Sequence, residues 1–255
     1  AGKTDREILR QALADNNVET VAGEHSKLAL RVKGNIVLKG ISEFEIGHFF
    51  VQDESETLVV ELLDPQPGET ILDLCAAPGG KTCHIQEARG SEGHVIAVDV
   101  QAKRLSRINE NLERMQLKNV SVVGADGIDL ALAEKVDRVL VDAPCSGLGV
   151  LARRADARWR KTPESVRALV PLQQKLLQAA AKHVKPGGVL VYSVCSFEPE
   201  EGIEQVKAFL AQDSSFILED AGQWLPETVV TDGYLTMLPH RHGTDGAFAA
   251  RLKKQ

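Results

Sequence analysis

Four cysteines stand at Cys75, Cys83, Cys145 and Cys195, separated by 8, 62 and 50 positions. There is no Cys-x-x-Cys pair, so a zinc ribbon is not indicated, and a chain of 255 residues does not need a disulfide scaffold. Sulfur chemistry of another kind remains. A thiol that ionises in an electropositive, partly accessible place is a nucleophile, and covalent addition splits one hard step into two easier ones. Cys145 follows Asp142-Ala143-Pro144, and Cys195 closes the run Tyr192-Ser193-Val194. Cys83 fits the ordinary role of cysteine as a small buried apolar residue, and Cys75 could pack in the same way.

The turn Cys75-Ala76-Ala77-Pro78-Gly79-Gly80-Lys81 is a second chemical signal. It is neither G-x-G-x-x-G nor G-x-x-x-x-G-K-[ST], so a dinucleotide or a triphosphate is not the favoured ligand. Its small residues let a ligand lie close against the backbone. Asp99 ends an apolar run, where one carboxylate can accept hydrogen bonds from both hydroxyls of a ribose. Asp126 and Asp142 end two further runs.

These groups need a scaffold that gathers strand ends. From residue 70 onward, strand-like and helix-like stretches alternate. Apolar runs at 70–75, 94–100, 119–126, 136–144 and 189–196 are separated by helical patterns, one with Leu105, Ile108, Leu112 and Met115 on a single face. Thr162-Pro163 predicts an N-cap and first-turn proline for one helix reaching Val184, ended by 185–188. Near-continuous apolar strands in βα repeats imply an α/β fold, a parallel sheet covered on both faces, with ligands beyond the carboxyl ends of its strands. Ahead of it, an acidic first turn and Leu58, Val59, Leu62 and Leu63 on one face predict a helix over 52–64, broken by 65–69. The first 50 residues read as a small α+β module: a helix capped by Thr4 and Glu7, then strands at 18–22, 27–32 and 35–40. Starting without Met, the chain reads as cut from something longer.

Apolar residues make up 43% and charged residues 26%, ordinary values for a folded chain. The formal net charge of −6 argues against holding nucleic acid by bulk charge alone. No run is long and apolar enough for a membrane span, and the N-terminus is not signal-like, which predicts a soluble protein of a reducing compartment. His240 and His242 lack further ligand partners, so no metal site is expected. The segment 151–161 carries five basic residues, Arg153, Arg154, Arg158, Arg160 and Lys161, against one acid, Asp156. Beside Cys145-Ser146-Gly147, it suits phosphate contacts that position a strand over the chemistry. Trp159 is expected to anchor this loop rather than to stack on a base. His240, Arg241, His242, Arg251, Lys253 and Lys254 are candidates for the same face.

The strings LDLCAAPGGKT (72–82), VDAPCSGLGVLARRADARW (141–159), YSVCSFEPEE (192–201), DGAFAARL (245–252) and FVQDES (50–55) resemble RNA 5-methylcytosine methyltransferases. Within them the match is to the bacterial ribosomal RNA branch, the Sun or Fmu family. The resemblance implies the class I S-adenosylmethionine methyltransferase fold, with a seven-stranded mostly parallel sheet over 51–255 and an RNA-contacting module over 1–50. It implies that Cys75, Ala76, Ala77, Pro78, Gly79, Gly80 and Lys81 hold the methionine part of S-adenosylmethionine. Asp99 would hold the ribose, Arg104 would also contact the cofactor, Asp126 would lie near the adenine, and Asp142 would sit between cofactor and base. Two departures occur: Val194 where the family usually has Thr, and Ala247 where it commonly has Phe. The helical domain resembling the antitermination factor NusB, which relatives carry ahead of this part, has no counterpart here.

By the same resemblance Cys195 is the nucleophile and Cys145 assists product release, whereas DNA 5-methylcytosine enzymes use the cysteine of the Pro-Cys pair. The chemistry explains the need. C5 of cytosine is too weak a nucleophile until a thiolate adds to C6. Asp142 near N3 would stabilise the adduct, and a base must then remove the C5 proton. A base in folded RNA must leave its stack to reach Cys195. The implied partner is small-subunit ribosomal RNA, in the cytoplasm, with no membrane, metal or obligate protein partner. The alternatives are the same chemistry on tRNA, or a non-catalytic RNA-binding assembly factor on this fold.

Overall fold

The computed structural model describes residues 4–255, with the side chain of Ala155 left aside. The chain opens with α1 (Arg6–Asp15), the hairpin β1 (Thr20–Ala22) and β2 (Leu30–Val32), and the short α2 (Ser42–Glu45). Asp5, rather than Thr4, caps α1: its side chain accepts from the backbone N–H of Glu7. The stretch 35–40 forms no strand, and Val37 there is 78% exposed. Two strands already form the hairpin, and this third run has no sheet partner to bury it. Residues 1–3 of the expected first helix lie outside the described part.

Next come α3 (Glu54–Leu63), β3 (Thr70–Leu74), α4 (Gly80–Arg89), β4 (His94–Asp99), α5 (Ala102–Arg114), β5 (Val120–Gly124) and β6 (Val136–Asp142). The second half holds α6 (Pro163–Arg167), α7 (Val170–His183), β7 (Val184–Val194), α8 (Ile203–Gln212), β8 (Phe216–Glu219), β9 (Val230–Thr231), β10 (Tyr234–Met237), α9 (Pro239–His242) and β11 (Ala247–Lys254). The single helix expected over 163–184 is therefore two. Thr162 caps the first through a reciprocal capping box with Ser165. Pro171, which has no N–H to give to Arg167, forces a new start in the first turn of α7.

The large sheet runs in the order β5-β4-β3-β6-β7-β11-β10-β9, with β8 also paired to β11. It thus has nine strands among the described residues rather than the expected seven. The first five are mutually parallel, and β11 is antiparallel to β7, β8 and β10. Short strands at 216–219 and 230–237 widen the far side, and their brief runs left no period-2 signal. Alternate residues face opposite layers. Leu72, Leu74, Val139, Val141, Leu190 and Tyr192 pack with α7 and α8, whereas Ile71, Leu140, Val189 and Val191 pack with α3. Every one of these side chains is buried, which explains the near-continuous apolar strands.

Buried arginines fasten the far end of α3. Arg251 donates to the carbonyls of Leu62 and Leu63 and pairs with Glu219, and Arg138 donates to the carbonyl of Leu63 and pairs with Glu69. Cations there satisfy orphan carbonyls and complement the helix dipole. Arg251, with Lys253 and Lys254, is therefore removed from the basic face expected of it. The antiparallel run of β11 starts opposite Val194, beside Cys195, and carries its C-terminal end toward Val189, at the opposite end of the sheet.

The N-terminal module is stitched to the sheet layer. Glu54 accepts from the backbone N–H groups of His25 (2.6 Å) and Ser26 (2.7 Å). Arg114 donates to the carbonyls of Phe44 and Phe49 and lies over the Phe44 ring. Arg31 reaches the carbonyl of Gly243 at 2.9 Å, and the His25 ring meets His242 edge-on. His242 is buried in that contact, so it too leaves the proposed basic face.

Candidate active site

All five parallel strands end at one cleft of about 1000 Å³. The 75–81 turn leaves β3, Asp99 ends β4, Asp126 follows β5, Asp142 ends β6, and Cys195 follows β7. Parallel βα units produce this convergence, because every crossover returns the chain to the same edge.

The turn is shaped by its backbone. Cys75 adopts a left-handed conformation (φ 63°), and Gly79 (φ 102°) gives α4 its N-cap. A Cβ at Gly80 would meet the Phe50 ring at 2.9 Å, so a larger residue there would have to push that ring aside. Asp99 braces the turn: Oδ2 accepts from the N–H of Ala77 (3.1 Å), and Oδ1 from the N–H of Gln101 (2.8 Å). Arg104 donates to the carbonyl of Ala77 and lies 3.9 Å from Asp99 Oδ2. Asp126 is exposed at the rim, and its Oδ1 accepts from the N–H of Ile128 at 2.9 Å.

Asp73, unnoticed in the sequence, forms part of the cleft floor. It is fully buried and accepts from Thr82 Oγ1 at 2.6 Å, while its second oxygen has no hydrogen-bond partner among the described residues. Burial pushes its pKa up to about 7, with Thr82 pulling down and Asp142 and Asp99 adding to the rise.

Lys81 is buried between Asp142, 2.8 Å away, and Glu56 on α3. Asp142 also accepts from Ser193 Oγ at 2.9 Å. Just beyond, Cys145 Sγ and Cys195 Sγ lie 3.0 Å apart. The two thiols share a hydrogen bond that either sulfur can donate, and Cys145 is the donor consistent with the pKa directions of the pair. That bond is the main cause of a lowered pKa at Cys195 and of a raised one at Cys145, where desolvation adds to the rise. The more acidic sulfur of the pair is Cys195. Burial pushes Cys75 and Cys83 up to about 12, which makes them poor nucleophiles. Cys83 is wholly buried, the packing role expected of it.

Backbone contacts hold the cysteine loops together. Gly149 N–H donates to the carbonyl of Cys195 (3.1 Å), and Gly246 N–H to that of Gly149 (2.8 Å). A Cβ at Gly149 would collide with the Gly246 carbonyl, so the approach depends on glycine. The basic segment follows as two 3-10 turns over 148–159. Its arginines are not equivalent. Arg153 pairs with Asp53, the N-cap of α3, and with Asp245 at 2.6 Å, and Arg160 pairs with Asp156. Arg154 and Arg158 make no ion pair among the described residues. Trp159, expected to anchor the loop, is 85% exposed and anchors nothing, because the 3-10 turn carries it outward.

The family model for 16S rRNA methyltransferase RsmB/F matches residues 60–253. The chain belongs to the RsmB/F family. It is 42% identical over 99% of its length to the probable ribosomal RNA small subunit methyltransferase B of Synechocystis sp., of which it spans 58%. Among solved structures, PH0851 superposes with a TM-score of 0.91 at 34% identity, over 99% of this chain and 57% of that one. NSun6 from Pyrococcus horikoshii, solved with SFG, superposes with a TM-score of 0.78 at 33% identity, over 89% of this chain and 59% of that one. The chain thus spans less than two thirds of these relatives. The class I methyltransferase fold expected for this RsmB/F chain is the one found.

Among its described residues no group of three or more His, Cys, Asp or Glu could hold a metal ion, and no helix is long and apolar enough to cross a membrane. The cleft gathers every sequence-predicted cofactor and catalytic position except Gly79, which lies behind it as a helix cap. Sequence reading missed Asp73, Glu56 and Glu201. Asp73 and Glu201 lie inside the recognised strings, but nothing in a string marks which acid is buried.

Proposed function

We propose that this chain transfers a methyl group from S-adenosylmethionine to C5 of a cytosine in small-subunit ribosomal RNA, with Cys195 adding covalently to C6. The thiol pair carries this reading: two sulfurs 3.0 Å apart, the pKa of Cys195 shifted down and that of Cys145 shifted up, on loops that follow adjacent strands. The naming of the Synechocystis relative and the SFG bound to NSun6, an analogue of S-adenosylmethionine, support it.

The residues fit the cofactor. The 75–81 turn holds the methionine portion, Asp99 with Arg104 the ribose region, and Asp126 the adenine. The unpartnered oxygen of Asp73 is the kind of acceptor that an ammonium group satisfies. When bound, the cofactor supplies an electrophilic methyl group. Cys195 adds as thiolate to C6 and places electron density on C5. Asp142, held by Lys81 and Ser193, acts in its protonated form, donating its proton to N3 as negative charge develops there and taking it back when the adduct breaks down. Once a base has removed the C5 proton, Cys145 returns a proton to the departing Cys195 sulfur. Arg154 and Arg158, with Arg153 and Arg160, contact phosphates and hold the strand over the cleft.

Incubation with labelled cofactor and 16S rRNA tests this reading. Cys195→Ala is expected neither to methylate nor to bind RNA covalently. Cys145→Ala is expected to add and transfer methyl, then stall as an adduct that survives denaturing electrophoresis. The reverse pattern would make Cys145 the nucleophile, and active variants without adduct would exclude covalent chemistry. No incorporation by the unaltered chain on rRNA or tRNA would favour a non-catalytic binding factor.

A further inference from the structure

Glu201 is completely buried at the start of the turn leading into α8, yet it pairs with no cation among the described residues. Its carboxylate instead gathers three donors: Ser146 N–H (2.7 Å), Ser146 Oγ (2.5 Å) and Gln173 Nε2 (3.0 Å). Its own carbonyl accepts from Tyr192 Oη at 2.7 Å, which fixes it to β7. Burying a carboxylate is costly unless its acceptors are filled, and here three donors from two separate segments fill them.

The identity of those segments gives the arrangement its meaning. Ser146 directly follows Cys145, and Ser196 directly follows Cys195. The two hydroxyls lie 3.3 Å apart, so the residues after the two sulfurs are joined beneath them. Gln173, on α7, donates to Glu201 and also to the carbonyl of Pro144 at 2.9 Å, one residue before Cys145. The Cys145 loop is therefore gripped on both sides of its sulfur, and both grips end on Glu201.

We propose that Glu201 is a positioning residue for the cysteine pair, fixing the Cys145 loop against the Cys195 loop so that one thiol donates to the other. The inference deepens the covalent reading above and rests on it only for its catalytic meaning. The thiol contact itself is measurable without substrate.

The groups facing Cys195 are Cys145 and Asp142 from the β6 end and Lys81 from α4, which Glu56 also contacts. All remain in the variants Glu201→Gln and Ser146→Ala. The test follows the pH profile of Cys195 alkylation by iodoacetamide, with peptide mass spectrometry, in the protein without RNA or cofactor. Removing a nearby negative charge would by itself lower the midpoint. Loss of the Cys145 donor raises it, so the sign separates positioning from simple electrostatics. The midpoint is expected to rise by about one pH unit in Glu201→Gln, and by less in Ser146→Ala, which keeps the backbone bond and removes no charge. Turnover on 16S rRNA is expected to fall about tenfold through kcat, with cofactor affinity unchanged. An unchanged or lowered midpoint in both variants overturns the proposal. If Glu201→Gln does not fold, Ser146→Ala decides by the same criterion. A shifted midpoint in a protein that never methylates RNA would leave the positioning role intact and refute the catalytic reading.

Discussion

Lys81, in the first turn of α4, meets Asp142 at the end of β6 at 2.8 Å, 61 positions away in the chain. The ammonium is buried and shared with Glu56, so one cation holds two carboxylates at the cleft wall. Replacing it by an apolar side chain strands both acids. Lys81→Met is expected to slow methyl transfer about 10- to 100-fold, the worth of a charge-assisted hydrogen bond of roughly 1.5–3 kcal/mol. Single-turnover rates with labelled cofactor check this. A rate equal to that of the unaltered chain would leave Lys81 a packing residue.

Asp99 is tied to the turn by Ala77 and to α5 by Gln101. Asp99→Ala is expected to weaken S-adenosylmethionine binding by roughly 1.5–3 kcal/mol. Calorimetry measures the loss directly, and an unchanged affinity would remove Asp99 from the site.

Asp73 makes the free protein sensitive to pH. Its ordinary pKa of 3.8 is raised to about 7 by burial, so the folded chain holds a proton that the unfolded chain has released. This contribution to stability is complete below pH 3.8 and is lost as pH rises through about 7, by an upper limit of about 4 kcal/mol. Asp73→Asn keeps an acceptor for Thr82 without a charge, and is expected to flatten the fall of Tm between pH 3.8 and about 7. Equal slopes for the two proteins would argue that Asp73 titrates normally.

Arg153 and its neighbours separate by partner. Arg153 holds Asp53 and Asp245, so Arg153→Ala is expected to loosen the 148–159 segment and to lower Tm modestly. Arg154→Ala with Arg158→Ala is expected to leave Tm alone and to reduce the salt dependence of RNA binding by about 0.7 log unit per lost contact on single strands. Thermal melts and binding titrations across a salt series distinguish the two, and a salt slope unmoved in the double variant would return this segment to a solvated face.

The βα rhythm and the loops after the parallel strands were legible in the sequence because each signal is local: an apolar run, then small residues or an acid at its end. What escaped was non-local. In Glu198-Pro199-Glu200-Glu201 three acids look alike, and only the path of α8 places Glu201 under the cysteines. Arg153 reads as one of five basic residues until α3 supplies Asp53 across 100 positions. The stretch 35–40 has strand-forming residues but no neighbour, and the helix after Thr162 has good propensity but contains Pro171. In both cases a missing partner, a strand or an N–H, outweighed the residue pattern.

β11 is the last strand in sequence, yet it lies between β7 and β10 and also pairs with β8, while Arg251 reaches across to the end of α3. Synthesis and folding are therefore out of step. Until the ribosome has released everything through Lys254, β7 keeps an unsatisfied edge and the α3 carbonyls lack one of their cations. From the completion of β7 until that of β11, the nascent chain carries a half-sheet with an open seam. An unpaired edge of that kind is a template for pairing with other chains until β11 closes it.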